Sequence, residues 1–260
     1  MPRRLGQHFL KNETILKKIA GAIKKSTRQV LIEIGPGHGE LTKYLFSQSS
    51  HLILLERDHS LVEKIKKDVL FSQTRIIEGD ALVTLPSLVR DLALQKKSYS
   101  IIGNIPYYIT GQLLRAIGDI SCKPQQCVFL IQNEVAQRIC AKAPRMNLLA
   151  AIVGAWASAR ILMRVSPGNF FPPPSVDSAV IVFEKKRGFI APKHLEAYYA
   201  FVKTLFKQPR KTLLNNLIDG GYKKDDIIIA CQTTGLSQIS RPGECELETV
   251  RSLFFALTSG

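Results

Sequence analysis

A group of glycines and acidic side chains in the first third of the chain has the residue types and spacing of a nucleotide-binding site. Residues 33–41 read E-I-G-P-G-H-G-E-L, and Gly35 and Gly37 would let the backbone turn sharply and approach a ligand closely. Glu56 follows about 20 residues later, where an acidic side chain can bind the two hydroxyls of a ribose. The pattern therefore predicts a site for a cofactor that contains a nucleoside, either a nicotinamide dinucleotide or S-adenosylmethionine.

Two features of the sequence favour S-adenosylmethionine. The glycine pattern is E-x-G-x-G-x-G, which differs from the G-x-G-x-x-G of dinucleotide sites. Asp80 and Asn104 are each expected to end a later strand, so that polar side chains gather with Glu56 along one edge of a sheet. An NAD-dependent oxidoreductase would also need a proton donor near this pocket, and the sequence offers no candidate.

Residues 103–107 read G-N-I-P-Y, and this motif could perform a specific reaction. The exocyclic amine of adenine is a poor nucleophile because its lone pair is delocalised into the ring. The side-chain oxygen of Asn104 could accept one N6 proton, and the carbonyl of Ile105, held extended by Pro106, could accept the other. The lone pair would then point at a methyl donor, and orientation would supply most of the rate without a general base. The motif predicts methyl transfer to adenine N6, although a rigid turn after a strand is the simpler alternative.

Aromatic side chains are expected to hold the target base. A base inside a double helix cannot reach such a pocket, so the adenosine must be single-stranded or flipped out. Tyr107 is predicted to stack on one face of the base, and Phe170, just before three prolines, on the other. Packing in the core is the alternative interpretation of Phe170.

Short apolar runs that alternate with helical patterns predict the fold that positions these residues. Runs in which apolar and polar residues do not alternate are typical of strands that are buried on both faces, as in a parallel sheet covered by helices. The predicted strands are residues 30–34, 51–56, 75–80, 99–104 and 126–132. Two later runs, 160–165 and 178–183, flank the prolines and predict an antiparallel pair at the sheet edge. The fold class is therefore α/β, a Rossmann-like methyltransferase domain with a mostly parallel sheet.

Helical patterns precede and follow the predicted strands in the sequence. Before the first strand, Asn12 is a predicted cap for an amphipathic helix. After a polar linker, four further helices are predicted at residues 195–207, 210–218, 224–233 and 246–257. We therefore expect a catalytic domain of residues 1–187 and a small all-helical domain of residues 188–260.

The charge of the chain indicates a polyanionic partner. Thirty-six Lys and Arg against 21 Asp and Glu give a formal net charge of +15. Binding of a nucleic acid is the simplest function for such a positive electrostatic potential. Eight of these cations fall between Met1 and Arg28, with Glu13 as the sole acidic residue there, although a solvated helix face would also explain that run.

Other compositional features exclude several classes of protein. The five cysteines are odd in number and have no ligand-type spacing, so neither a disulfide framework nor a metal site is expected. The longest apolar stretch, residues 148–157, is about half of a bilayer span, and no apolar signal core follows the first basic residues. We expect a cytoplasmic protein that has no membrane segment and acts as a monomer.

With these motifs assembled, the sequence closely resembles the ribosomal RNA small-subunit adenine dimethyltransferases, the KsgA-type enzymes. The resemblance covers nearly the whole chain. The segments that carry it are residues 6–10 (G-Q-H-F-L), 33–41, 103–107, 170–178 (F-F-P-P-P-S-V-D-S) and 208–213 (Q-P-R-K-T-L). The sequence departs from many relatives at Tyr108, Thr110 and Gly111, and at Gln208 and Pro209.

The resemblance implies roles for particular residues and a particular substrate. The implied contacts with S-adenosylmethionine, which becomes S-adenosylhomocysteine, involve His8, Leu10, Gly35, Glu56, Asp80 and Asn104. The implied contacts with the target base involve Asn104, Tyr107 and Phe170. The implied substrate is a pair of adjacent adenosines in the 3′-terminal hairpin of small-subunit rRNA, each dimethylated on an assembling 30S subunit. Arg210 and Lys211 would then contact rRNA phosphates, unless they are ordinary solvated helix charges.

Two other functions remain open at this point. A large-subunit rRNA adenine methyltransferase of the macrolide-resistance type would share the fold, the glycine turn and N-I-P-Y, but residues 170–178 and 210–213 favour the small-subunit enzyme. A non-catalytic RNA-binding assembly factor would keep the fold without activity, and an intact Asn104 and Tyr107 count against it.

Overall fold

The chain divides into two units, one of which is discontinuous in sequence. The computed structural model describes residues 8–26, 29–72, 74–185 and 190–258. Among the described residues, the first unit comprises those up to residue 136 together with 159–185, and the second comprises 137–158 together with 190–258. The predicted boundary between residues 187 and 188 lies outside the described residues, as do Gly6, Gln7 and part of the basic N-terminal run. The prediction was wrong for residues 137–158, which belong to the second unit.

The described residues form strands and helices with the following bounds. The strands are β1 (Phe9–Leu10), β2 (Val30–Ile34), β3 (His51–Glu56), β4 (Arg75–Glu78), β5 (Tyr99–Asn104), β6 (Gln126–Gln132), β7 (Ala157–Val165), β8 (Phe170–Phe171) and β9 (Ser178–Lys185). The helices are α1 (Glu13–Gly21), α2 (Thr42–Leu45), α3 (His59–Lys67), α4 (Ala81–Leu94), α5 (Thr110–Asp119), α6 (Asn133–Ile139), α7 (Leu148–Gly154), α8 (Leu195–Leu205), α9 (Leu213–Asp219), α10 (Lys224–Thr234) and α11 (Leu247–Thr258).

The first unit is built on a seven-stranded sheet in the order β4-β3-β2-β5-β6-β9-β7. The first five strands of this order are parallel to one another, and β9 runs antiparallel to β6. This arrangement confirms the predicted, mostly parallel α/β fold. Strands β9 and β7 lie side by side at the end of the sheet, as predicted.

The register of the central strands brings the predicted site residues to one edge. Ile34 at the end of β2 pairs with Leu55 on one side and with Gly103 on the other. Because these strands are parallel and in step, the glycine turn, Glu56 and Asn104 all emerge at the same level. The amide of Gly35 donates to the carbonyl of Leu55 over 2.9 Å, which ties the turn to β3.

The N-terminal segment contacts the sheet domain through a second, two-stranded sheet. In it, β1 pairs with β8 in antiparallel register, so that Phe9 is opposite Phe171 and Leu10 is opposite Phe170. Helix α1 follows, and the side chain of Asn12 accepts a hydrogen bond from the amide of Ile15 over 3.2 Å, which confirms the predicted cap.

The second unit is formed by helices α7 to α11 around an aromatic core. The buried rings of Tyr198 and Phe201 each contact the buried ring of Phe254. Ala150 and Ala151 of α7 are buried in the same cluster, and the Tyr198 hydroxyl donates to the carbonyl of Ala151 over 3.3 Å. This shared apolar core is why residues 137–158 belong to this unit. No helix among the described residues is long and apolar enough to cross a membrane.

Candidate active site

An open cavity lies in the first unit where the parallel strands end, with about 770 Å³ of empty space that includes the solvent at its mouth. Its walls come from the N-terminal segment, the glycine turn and the loop after β5. Nine predicted residues line it: His8, Leu10, Gly35, Gly37, Glu56, Asn104, Ile105, Pro106 and Tyr107.

The glycine turn and Glu56 form one hydrogen-bonded corner of the cavity. Gly35 and Gly37 have φ angles of +67° and +64°, a conformation that side-chain-bearing residues rarely adopt. The amide of Gly37 donates to Oε2 of Glu56 over 3.2 Å, and the amides of Arg57 and Asp58 donate to Oε1 over 2.8 and 2.9 Å. The carboxylate of Glu56 is thereby fixed at the cavity wall, where it can accept hydrogen bonds from a ribose.

Glu33 is a site residue that the sequence reasoning did not single out. It lines the cavity with 1% of its surface exposed, and the hydroxyl of Thr42 donates to its Oε2 over 2.7 Å. Burial, with a smaller contribution from the nearby charges of Glu40 and Glu56, raises the pKa of the Glu33 carboxyl to about 8. The leading glutamate of E-x-G-x-G-x-G, an acidic residue inside an apolar strand, was the signal that could have identified it.

The charges of the cavity fit a cationic cofactor. Glu33, Glu40 and Glu56 all line it, and because the raised pKa of Glu33 keeps that carboxyl largely protonated at neutral pH, the negative charge comes from Glu40 and Glu56. S-adenosylmethionine carries a sulfonium and an ammonium group, which such a wall would attract. The diphosphate of a dinucleotide would be repelled by the same wall. The residues present therefore fit S-adenosylmethionine, in agreement with the glycine spacing.

The side-chain amide of Asn104 is oriented by the N-terminal segment. Its Nδ2 donates to the carbonyl of His8 over 2.8 Å, which leaves Oδ1 as the available acceptor. The amide of Ile105 donates to the carbonyl of Leu130 over 3.1 Å. Within the described residues, no donor contacts the Ile105 carbonyl or the Asn104 Oδ1. The loop therefore presents the two acceptors that the adenine mechanism requires.

His8 also holds Tyr107. The His8 ring donates from Nδ1 to the carbonyl of Pro172 over 2.8 Å and stacks on the Tyr107 ring with a centroid distance of 6.0 Å. The Tyr107 hydroxyl makes a 2.8 Å hydrogen bond with Oγ of Ser178. Burial raises the pKa of the Tyr107 phenol, so the ring stays uncharged at neutral pH.

Two predicted site residues are not among the residues that line this cavity. Asp80 lies beyond the end of β4 and caps α4, where Oδ1 accepts from the amide of Leu82 over 2.9 Å. Its other oxygen pairs with Arg57 over 3.2 Å. Both of its oxygens thus have partners in the structure, and its contact with the cofactor stays a prediction.

Phe170 packs in the core beside Leu10, with 5% of its surface exposed. The alternation of side chains along β8 explains this position, because it turns Phe170 inward and leaves Phe171 70% exposed. The alternative interpretation, core packing, describes the surroundings of Phe170 in this structure, and its stacking on the base stays a prediction.

No group of three or more His, Cys, Asp or Glu in the described part of the chain is arranged to hold a metal ion.

Comparison with solved structures shows the same fold in other methyltransferases. The 23S rRNA methyltransferase ErmE superposes with a TM-score of 0.76 at 20% identity, over 96% of this chain and 99% of that one. A dimethyladenosine transferase from Plasmodium falciparum superposes with a TM-score of 0.73 at 22% identity, over 95% and 96%. At these identities the likeness concerns the fold alone.

Comparison of sequences is more specific. A protein from Dehalococcoides mccartyi named ribosomal RNA small subunit methyltransferase A is 32% identical over 98% of this chain and 87% of its own length. A protein of the same name from Mesomycoplasma hyopneumoniae is 38% identical over 83% of this chain and 81% of its own length. The family model described as ribosomal RNA adenine dimethylase matches residues 2–234. Since that match includes the glycine turn, the N-I-P-Y loop and most of the helical unit, the chain belongs to the ribosomal RNA adenine dimethylase family.

Proposed function

We propose that this protein is an S-adenosylmethionine-dependent adenine N6-dimethyltransferase of small-subunit rRNA. Its substrate would be two adjacent adenosines in the 3′-terminal hairpin of 16S rRNA, modified during 30S biogenesis. The observation that carries the proposal is the Asn104 amide, whose nitrogen is bound by the carbonyl of His8 over 2.8 Å so that its oxygen is available to adenine N6. We also propose that the protein is cytoplasmic, because assembling ribosomal subunits are cytoplasmic, and that it acts as a monomer.

In the proposed reaction, the protein orients the amine and holds the methyl donor. Oδ1 of Asn104 accepts one N6 proton and the carbonyl of Ile105 accepts the other, which directs the nitrogen lone pair at the donor. Tyr107 supports the base by stacking. When bound, S-adenosylmethionine supplies the methyl group from its sulfonium and leaves as S-adenosylhomocysteine. The N6 proton becomes acidic as the new bond forms and passes to solvent, so the chemistry needs neither a metal ion nor a strong base.

The acidic residues of the cavity have separate tasks in this proposal. Glu56, whose carboxylate is fixed by three backbone amides, accepts hydrogen bonds from the ribose hydroxyls. Glu40 provides negative charge for the cationic part of the cofactor, whereas Glu33, whose raised pKa keeps it largely protonated at neutral pH, lines the cavity as a neutral carboxyl. Because two methyl groups go to each adenosine, the used cofactor must leave and a fresh one must enter between transfers.

The names of the sequence relatives support the small subunit as substrate. Proteins that are 32–38% identical to this chain carry the name ribosomal RNA small subunit methyltransferase A. ErmE, a 23S rRNA methyltransferase, represents the large-subunit alternative, and its similarity to this chain is in the fold. Contact of the second unit with rRNA is also part of the proposal. There Lys211 pairs with Asp219 over 3.1 Å, which leaves the exposed Arg210 as the better phosphate ligand.

The test is methylation of purified ribosomal subunits. The protein is incubated with radiolabelled S-adenosylmethionine and either unmethylated 30S or 50S subunits, and the labelled nucleoside is identified after digestion of the RNA. We expect dimethyladenosine in 30S subunits alone. Label confined to 50S subunits would identify the resistance-type function, and no label in either would favour an assembly factor without catalysis.

A further inference from the structure

Two exposed aromatic rings belong to residues that adjoin site residues in the sequence, and the reaction proposed above gives them no role. Phe171 is 70% exposed and Tyr108 is 57% exposed. A single exposed ring is common on protein surfaces, so the location of these two beside the site, more than their exposure, is what indicates a binding role. One other aromatic ring, Phe46, ranks among the exposed large hydrophobic side chains in the described residues, and it stacks on Phe71 with a centroid distance of 6.1 Å.

Both rings flank the contacts that hold the target-base residues. Tyr108 directly follows Tyr107, which stacks on His8. Phe171 directly precedes Pro172, whose carbonyl accepts the hydrogen bond from the same His8 ring over 2.8 Å. Neighbouring Cα atoms are at most about 3.8 Å apart. The Cα atoms of Tyr108 and Phe171 therefore lie within that distance of those of Tyr107 and Pro172, which contact His8.

The backbone under Phe171 is fixed before any ligand binds. Phe171 pairs with Phe9 across the two-stranded sheet, and the carbonyl of Asn169 accepts from the amide of Lys11 over 2.8 Å. A phenylalanine on such a backbone has few torsions left to order. Stacking on it therefore costs little conformational entropy.

We propose that Phe171 and Tyr108 form an outer stacking platform that binds the unpaired bases next to the target adenosine in single-stranded RNA. The inference rests on the proposed function, because it is the adenine site that brings a strand of RNA near these two rings. Unpaired bases stack on aromatic side chains of RNA-binding proteins, whereas a protein partner would be expected to need a contiguous apolar patch rather than two separate rings. The net charge of +15 also favours a polyanion as the occupant.

The experiment measures RNA binding and methylation with substitutions that separate stacking from mere apolar contact. Binding of a fluorescently labelled single-stranded oligoadenylate is followed by anisotropy at fixed salt, and methylation of unmethylated 30S subunits gives KM and kcat. The variants are Phe171→Ala, Phe171→Leu, Phe171→Tyr and Tyr108→Ala. The matched control is Val83→Ala, since Val83 is 76% exposed on α4 and lies outside the cavity lining.

We expect Phe171→Ala and Phe171→Leu to weaken oligoadenylate binding by about tenfold each and to raise KM for 30S similarly, with little change in kcat. Tyr108→Ala should act in the same direction, whereas Phe171→Tyr and Val83→Ala should stay close to wild type. Calorimetric binding of S-adenosylmethionine should be unchanged in all variants, which checks that the cavity is intact.

Three outcomes would overturn the platform. Wild-type affinity for oligoadenylate in both Phe171→Ala and Tyr108→Ala would show that these rings do not bind RNA. Wild-type affinity and wild-type KM in Phe171→Leu would show that apolar contact, and not stacking, is sufficient. Loss of affinity for 30S with unchanged affinity for oligoadenylate would assign these rings to a ribosomal protein. Failure of the proposed function is distinguishable, because it would appear as absence of methylation by the wild type whatever the oligoadenylate results.

Discussion

At the residue scale, the site depends on polar groups whose partners come from distant parts of the chain. Asn104 is oriented by the carbonyl of His8, 96 residues earlier in the sequence. Glu33 is buried against Thr42, and its raised pKa is a consequence of that burial. Substitutions at these two residues test the amide and the carboxyl separately.

Replacing Asn104 tests the division between catalysis and binding. Asn104→Ala removes an acceptor that orients the amine, and we expect methyl transfer to fall by about 100-fold or more. Asn104→Asp keeps an oxygen acceptor but loses the donor to His8 and sets a charge beside that carbonyl, so it should also be strongly impaired. Single-turnover kinetics measures the loss. RNA affinity and its salt dependence should be nearly unchanged, and equal loss of binding and transfer would contradict the assigned role.

Glu33 should make the folding stability fall as the pH rises, which is opposite to the effect of a carboxyl group with a lowered pKa. The pKa of its carboxyl is about 8 in the folded protein and near 4.5 in the unfolded chain. Below pH 4.5 both states hold the proton, but between these values the unfolded chain loses it and the folded protein keeps it. Folding stability is therefore lost as the pH rises through this window, by at most about 1.4 kcal/mol per pH unit.

Urea unfolding of the wild type and Glu33→Gln between pH 5 and pH 9 measures this effect. Glutamine keeps an acceptor for the Thr42 hydroxyl and cannot ionise. We expect the free energy of unfolding of the variant to rise relative to wild type as the pH increases. Parallel curves for the two proteins would show that Glu33 titrates with an ordinary pKa.

At the scale of elements, the site depends on how closely β5 approaches β2. Gly103 pairs with Ile34, and a Cβ added at Gly103 would lie 2.4 Å from the backbone carbonyl of Ile34. A backbone atom cannot move aside as a side chain can. The glycine turn and the N-I-P-Y loop can therefore lie next to each other only if residue 103 has no side chain.

Two glycine-to-alanine substitutions test this close approach. Gly103→Ala should destabilise the protein by about 2 kcal/mol or more, because the two central strands must separate. Gly111→Ala is the matched control, since nothing lies within 4 Å of its added Cβ in helix α5. There we expect a gain of about 0.5–1 kcal/mol from helix propensity. Urea unfolding measures both, and similar effects of the two changes would refute the steric argument.

At the scale of the whole molecule, the second unit takes a segment from the middle of the sequence. The chain leaves the first unit within α6, after residue 136, and returns to it within β7, at residue 159. Ala150, Ala151 and Ala155 are buried with Leu195, Val202 and Leu253 from the C-terminal helices. The helical unit is therefore assembled from two separate parts of the chain.

A truncation tests this assignment. A fragment that ends at residue 185 retains α7 but lacks the helices that cover it. We expect this fragment to expose the apolar face of α7, to bind the dye ANS and to aggregate, whereas the full chain does neither. Size-exclusion chromatography and dye fluorescence make the measurement. A monomeric fragment with cooperative unfolding would mean that residues 137–158 pack with the first unit after all.

The sequence by itself determined the features that depend on local pattern. The apolar runs predicted the five parallel strands, because strands buried on both faces cannot be polar, and Asn12 was predicted as a cap because its side chain competes for nearby amides. The glycine turn and N-I-P-Y were recognisable because their chemistry is contained in a few consecutive residues.

Only the tertiary structure decided the features that depend on distant partners. Glu33 could be assigned to the cavity only once its burial was known, and the orientation of Asn104 required His8. The pleat of β8 turned Phe170 inward and Phe171 outward, which the doublet F-F cannot indicate. The apolar face of α7 is compatible with either unit in the sequence, and it was the C-terminal helices that buried it. Periodicity shows that a side chain will be buried, but only the packing of elements far apart in the chain determines what it is buried against.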